Sequence, residues 1–244
     1  MTNTYRIADA GIRITSGNPS VHRFCKDYLA PDAEVDLSIA VNDQDIALER
    51  EMIVENDVFV GVPVRELTDA HMEMLAIHRK ISEAMPFRNT FLMHGSCIAV
   101  DGAAYLFTAK SGTGKSTHTA LWRERFLDRA VMVNDDKPLI AITDKGVIAY
   151  GSPWCGKHRL STNTSVPLKS ICILERAEQN RIKEISFAEA YPMLIQQIYR
   201  PLHTEAMMKT LQLIDRLPAY IRFWRLGCNM EPEAAEVSYE AMKG

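Results

Sequence analysis

The alternation of apolar and polar residues changes character along this chain. In the first third, short runs such as GIRIT (11–15) and VDLSIAV (35–41) alternate with period two, which predicts strands. Next, LTDAHMEMLAIHRKISEAMP places Met74, Ile77, Ile81 and Met85 three or four apart, one apolar face of a helix. Thr68 or Asp69 is suited to cap its start, Pro86 stops it, and His71 and His78 are expected on its polar edge. From residue 90 the signals sharpen. TFLMHGSCIAV and AAYLFTA read as two strands joined by Asp101-Gly102, a hairpin dipeptide because both central residues of a type I′ turn need positive φ. A helix is expected from Lys115, a strand in RAVMVNDD, a hairpin of PLIAI and VIAYG across TDKG, and a buried strand in LKSICILE. Helices follow near 187–197, 204–216 and 231–243, with a strand in AYIRFWRL between the last two. The pattern supports an N-terminal α+β region over 1–88 and a core over 89–244.

Composition leaves that division unchanged but removes classes of function. The 244 residues are 47% hydrophobic and 24% charged, with a formal charge of −3, ordinary values for a globular protein. No basic excess exists to neutralise phosphates along a strand, so nucleic acid is not an expected partner. No run approaches the ~18 apolar residues that span a bilayer, and the start lacks the basic end and apolar middle of a signal peptide. No membrane partner is expected, and the cytoplasm is the expected location. Cys25, Cys97, Cys155, Cys172 and Cys228 are odd in number and scattered, with no C-x-x-C pair, so neither a disulfide framework nor a thiolate metal site follows. A homo-oligomer is compatible with all of this.

The candidate chemistry is concentrated between residues 94 and 159. AKSGTGKS, Ala109 to Ser116, fits a phosphate loop with alanine at the first glycine position, set between a strand and a helix. Gly112 and Gly114 allow tight turns in which successive N–H groups of Ser111 to Thr117 face an anion, and the following helix directs its positive end there. Lys115 is placed to reach the β- and γ-phosphates of ATP, and the Ser116 hydroxyl to ligand Mg²⁺. Extending the hairpin register from Val100 opposite Ala103 puts His94 opposite Ala109, beside the phosphates. Asp135 and Asp136 follow an apolar strand and offer a metal ligand and a base, with the assignment between them open. The segment 151–166 is long for a structureless connection. Its Lys157, His158 and Arg159 are candidates to hold an anionic acceptor or neutralise a phosphoryl group. Spacing alone does not place Arg176 or Arg200 at the site.

Taken together, MHGSCIAVDGAAYLFTAKSGTGKST and VNDDKPLI resemble the catalytic domain of HPr kinase/phosphorylase and the related phosphate-loop fold of phosphoenolpyruvate carboxykinase. The resemblance covers residues 90 to about 180 well and looks closest to small stand-alone bacterial members. It implies an α/β phosphate-loop core with a mixed β-sheet and flanking helices. It implies a Mg²⁺/ATP-dependent kinase that moves the γ-phosphoryl to a hydroxyl, such as the serine of a peptide, a protein or the free amino acid, and that can run backward. His94, Lys115, Asp135 and Asp136 would be catalytic, and Ser116 with an aspartate would hold the metal. The alternatives are a nucleotide-binding switch or sensor ATPase and a carboxykinase-like enzyme. Thr117 departs from the acidic residue usual in the family after the loop serine, which puts HPr itself in doubt as substrate.

Overall fold

The computed structural model describes residues Met1–Gly244, which divide into two compact units, Met1–Ala84 and Met85–Gly244. In the first unit, β1 (Thr2–Ile7) and β2 (Ala10–Thr15) form an antiparallel hairpin. After helix α1 (Pro19–Phe24), β3 (Leu37–Ala40) adds in parallel to β2. Helices α2 (Asp43–Val60) and α3 (Asp69–Ala84) complete the unit and pack on each other.

Helix α3 buries Met72, Ala76, Ile77 and Ile81, with Met74 only half-buried. His71 is exposed as expected, but His78 is buried, which corrects its placement on a polar edge. His78 stands four residues after Met74 and three before Ile81, so it shares the flank of that apolar stripe. Helix α2, alongside, is an element that the hydrophobic pattern does not announce. Its start is fixed by a capping box, in which the Asn42 side chain accepts from the Asp45 N–H and Asp45 reaches back to the Asn42 N–H. It ends at Gly61, whose φ of 77° is left-handed. With α2 alongside, the flank of α3 that carries charged residues is covered rather than solvated.

The second unit is built on a nine-stranded sheet. Its strands are β4 (Thr90–Leu92), β5 (Gly95–Val100), β6 (Ala103–Thr108), β7 (Ala130–Asp136), β8 (Leu139–Thr143), β9 (Gly146–Tyr150), β10 (Ser165–Arg176), β11 (Arg181–Ile185) and β12 (Arg222–Cys228). The order β4-β8-β9-β10-β6-β5-β7 runs along one path, with β12 on β10 and β11 on β12. The long β10 joins two regions. Its first residues pair antiparallel with β9, and its later ones lie parallel to both β6 and β12. Helices α4 (Lys115–Phe126), α5 (Phe187–Gln197), α6 (Thr204–Arg216) and α7 (Glu233–Met242) cover the faces. Alternation along β6 divides the core: Ala104 and Leu106 pack with Leu194 and Ile214, whereas Tyr105 and Phe107 pack with Trp122 and Met242.

The β5–β6 hairpin has the expected register, Val100 with Ala103, Ile98 with Tyr105 and Ser96 with Phe107. Asp101 and Gly102 both take positive φ, 52° and 79°, as a type I′ turn requires. The ladder stops at Ser96, so His94 does not face Ala109. Instead Thr108 Oγ1 donates to the His94 carbonyl at 2.9 Å, and the His94 N–H donates to Gln197 O at 2.6 Å. Gly95 pairs with Asp136 across β5 and β7, where a Cβ would stand 3.0 Å from Phe107 O. The His94 ring lies toward β7, with Nδ1 3.2 Å from the Asp136 carbonyl oxygen.

Helix α4 is anchored by Trp122, fully buried among Tyr105, Phe107, Phe126 and Tyr239 with ring centroids 5.0–5.6 Å away. Truncation to alanine in such a site costs about 3–5 kcal/mol. Trp122→Ala is therefore expected to lower the free energy of denaturant unfolding of the second unit by that amount. A loss under about 1 kcal/mol would show that α4 is held by other contacts.

Candidate functional site

Strand β6 delivers the buried Ala109 to the start of the loop, and α4 begins at Lys115. Between them Gly112 (φ 77°) and Gly114 (φ 120°) take conformations that side-chain-bearing residues rarely adopt. Gly114 is the N-cap of α4 and offers no side-chain cap, so the first N–H groups of the helix remain available to a ligand. Lys115, only 9% exposed, donates from Nζ to the Ala109 carbonyl at 3.0 Å. Burial pushes its pKa down, and the charges of Asp136 and Asp135 oppose that shift. Arg176 donates from its guanidinium to the carbonyls of Gly112 and Thr113, so it fixes the loop from outside.

Asp135 and Asp136 are successive residues at the end of β7, yet both reach one cavity because Asp136 has a φ of 149°, which breaks the strand alternation. Asp135 is 4% exposed and accepts from Ser96 Oγ at 2.7 Å. Asp136 lies 3.0 Å from His94 Nδ1 and 3.3 Å from Lys137 Nζ. Burial would raise its pKa, but the hydrogen bond with His94 and the charge of Lys137 outweigh that effect and hold it low. His94 thus meets the site through Asp136 rather than through the phosphate loop.

The connection after β9 is laced along β7. Gly156 N–H donates to Asp135 O at 2.8 Å, Asp135 N–H donates to Leu160 O at 2.9 Å, and a Cβ on Gly156 would meet Asp135 O at 2.9 Å. The residue that fixes this connection is Asn134, which sequence reasoning missed. It is fully buried, and its Nδ2 donates to the carbonyls of Ser152 (3.1 Å) and Trp154 (3.3 Å) while its Oδ1 accepts from Lys137 N–H (2.7 Å). Only its place in VNDD, beside the two aspartates, signals it.

These elements enclose a cavity of about 510 Å³. His94, Gly95, Ser111, Gly112, Gly114, Lys115, Ser116, Thr117, Asp135, Asp136, Gly156, Lys157 and His158 line it. Thr113 and Arg159 do not. Thr113 borders a neighbouring cavity, and Arg159 is an exposed residue with a φ of 52°. Arg200 is exposed and also stands outside the lining. No group of three or more His, Cys, Asp or Glu side chains is arranged to hold a metal ion. The donor set instead fits Mg²⁺, which usually takes one or two carboxylates and completes its shell with water and phosphate oxygens. Asp135 and the Ser116 hydroxyl are the groups on hand. No helix is long and apolar enough to cross a membrane.

The sequence model of a family described as SynChlorMet cassette protein ScmC matches residues 63–222, well over half of the chain. No curated protein matches. Among solved structures, the Hpr(Ser) kinase/phosphatase from Coxiella burnetii is similar at 15% identity and a TM-score of 0.28, over 52% of this chain and 97% of that one. A likeness that weak transfers neither fold nor activity. The family match takes in the phosphate loop, both aspartates and the connection after β9. It corrects the resemblance to HPr kinase/phosphorylase and phosphoenolpyruvate carboxykinase, and with it the fold-family assignment. The serine-kinase activity, the switch or sensor ATPase, the carboxykinase alternative and the kinase labels drawn from that resemblance fall too, and ATP binding no longer has that resemblance behind it. The physical reason is that a glycine loop before a helix with carboxylates nearby is a local anion-binding device, and such a device recurs on chains that share neither fold nor reaction.

Proposed function

The chain belongs to the SynChlorMet cassette protein ScmC family, and from that premise we propose that it binds a phosphate chain with a divalent cation in the cavity over Ser111–Thr117. ATP with Mg²⁺ is the pair that the residue types suit. One observation carries this reading. The uncapped start of α4, the buried Lys115 and the buried Asp135 converge on a single cavity of about 510 Å³.

Each group has a part that its chemistry supports. The N–H groups from Ser111 to Thr117 donate to phosphate oxygens, aided by the positive end of α4. Lys115 exchanges its bond with Ala109 O for one with a phosphate. Ser116 and Asp135 orient the cation, which supplies further positive charge when bound. Asp136 and His94 form a bonded pair in the lining, and Lys157 and His158 are its exposed cationic or polar groups. Each of the five cysteines is a free thiol, which suits a reducing compartment, and a cytoplasmic location is part of the same proposal.

Calorimetric titration with inorganic triphosphate, with and without Mg²⁺, tests the reading. Saturable binding that strengthens with Mg²⁺ is the expected result. Absence of binding under both conditions would overturn it.

A further inference from the structure

A second cavity, about 450 Å³, adjoins the first across the loop, since Gly112, Gly114 and Thr117 border both. Beyond the loop its walls are His118, Arg176, Ala177, Cys228, Asn229 and Met230. These come from α4, from the end of β10 and from the turn after β12, so the space is built by three elements that the sheet brings together.

His118 carries the telling feature. It is 2% exposed, and its Nε2 lies 3.2 Å from Trp122 Nε1 and 3.1 Å from Ser238 Oγ. The Trp122 indole N–H has a shorter bond to Ser238 Oγ, at 2.9 Å, and Ser238 Oγ itself donates to the Ala234 carbonyl at 2.8 Å, so Nε2 is satisfied either as donor to Ser238 Oγ or as acceptor from Trp122. Burial pushes the imidazole pKa down to about 4, so the ring is neutral, and Nδ1 is its other polar atom. That Nδ1 is buried with no hydrogen-bond partner. An unpaired buried polar atom is costly and uncommon in native proteins, and here it belongs to a residue lining a cavity beside the glycine loop.

The other walls suit a flat, polarisable group. Met230 and Cys228 supply sulfur, Arg176 supplies a planar guanidinium of the kind that stacks on rings, and Asn229 supplies an amide. We propose that this cavity receives the organic part of the ligand whose phosphates occupy the loop, namely a planar, polar heteroaromatic group such as a nucleoside base, with His118 Nδ1 hydrogen-bonded to it. The proposal rests on the phosphate-binding reading above and adds the ligand class and the residues that read it.

The test compares Mg²⁺ with ATP against Mg²⁺ with inorganic triphosphate on the whole chain, by calorimetry and by site-resolved alkylation of Cys228. ATP is expected to bind at least about tenfold more tightly, a difference of about 1.4 kcal/mol. It is also expected to slow alkylation of Cys228, which triphosphate leaves unchanged. Equal affinities, or a Cys228 rate indifferent to ATP, would overturn the second cavity and leave the phosphate site standing. Failure of both ligands to bind would remove the phosphate reading and this inference with it.

Discussion

Lys115→Ala is expected to weaken the binding of triphosphate and of ATP by roughly 10- to 150-fold, the equivalent of the ~1.5–3 kcal/mol of a hydrogen bond to a charged group. Lys115 is the strongest candidate because its ammonium is already desolvated at the cavity wall and holds only the Ala109 carbonyl in place of a phosphate. An arriving phosphate replaces a neutral acceptor with an anionic one, and little water need be stripped from the lysine at that moment. Lys157, exposed at the lining of the same cavity, has no such preparation, so Lys157→Ala should cost several-fold less. Lys115→Arg is not expected to rescue binding, because a planar fork does not fit a position shaped for a compact ammonium under a glycine turn. Calorimetric titration of the three variants decides the matter. Equal losses at Lys115 and Lys157 would mean that the cavity acts only through its diffuse charge, and an unaffected Lys115→Ala would remove the lysine from the site.

Much of this site was legible because its signals are local. Asp101-Gly102 announced its own turn, and once the turn is fixed each strand partner follows, as Ser96 opposite Phe107 shows. The glycines of the phosphate loop are likewise read from neighbours in sequence, and so are the helices α5, α6 and α7. What was not legible depends on partners far along the chain. His94 left the hairpin register because β7 lies on the other side of β5 and Gln197, at the end of α5, captures its N–H. Asn134 is an unremarkable polar residue until Ser152 and Trp154 return to it. The family itself was misread for a related reason. The motifs that prompted the resemblance describe an anion-binding turn, whereas family is a property of the whole chain, and residues 63–222 match ScmC.

The α2–α3 pair shows the same limit in energetic form and leads to an expected loss of stability as large as that at Trp122. Neither the charges of α2 nor Arg79 of α3 reads as core in sequence, since arginine and glutamate are almost never fully buried unless paired. In the structure Arg79 is buried and bonds through Nε to the buried Glu49, with Asp45 at 3.2 Å and Glu83 at 3.8 Å. Burial alone would disfavour the charge on Arg79, but the bonds to Glu49 and Asp45 and the field of Glu83 more than offset it. Lys80 stands at 2.6 Å from Asp45 and cannot serve Glu49 as well. Arg79→Ala therefore strands a buried carboxylate, and about 3–5 kcal/mol of stability in the first unit should be lost. Removing both ends tells a different story. In Arg79→Leu with Glu49→Leu the desolvation of two charges disappears along with their attraction, and replacing a buried pair by apolar groups is often neutral or better. Most of the single-variant loss should then return, although Asp45 and Glu83 still lack their former partner. Denaturant unfolding, with hydrogen exchange read over residues 43–84, separates the cases. If the double variant is as unstable as Arg79→Ala, the network contributes through geometry that leucine cannot replace. If Arg79→Ala costs less than about 1 kcal/mol, the carboxylates have found water or a proton, and α2 is held to α3 by its apolar contacts alone.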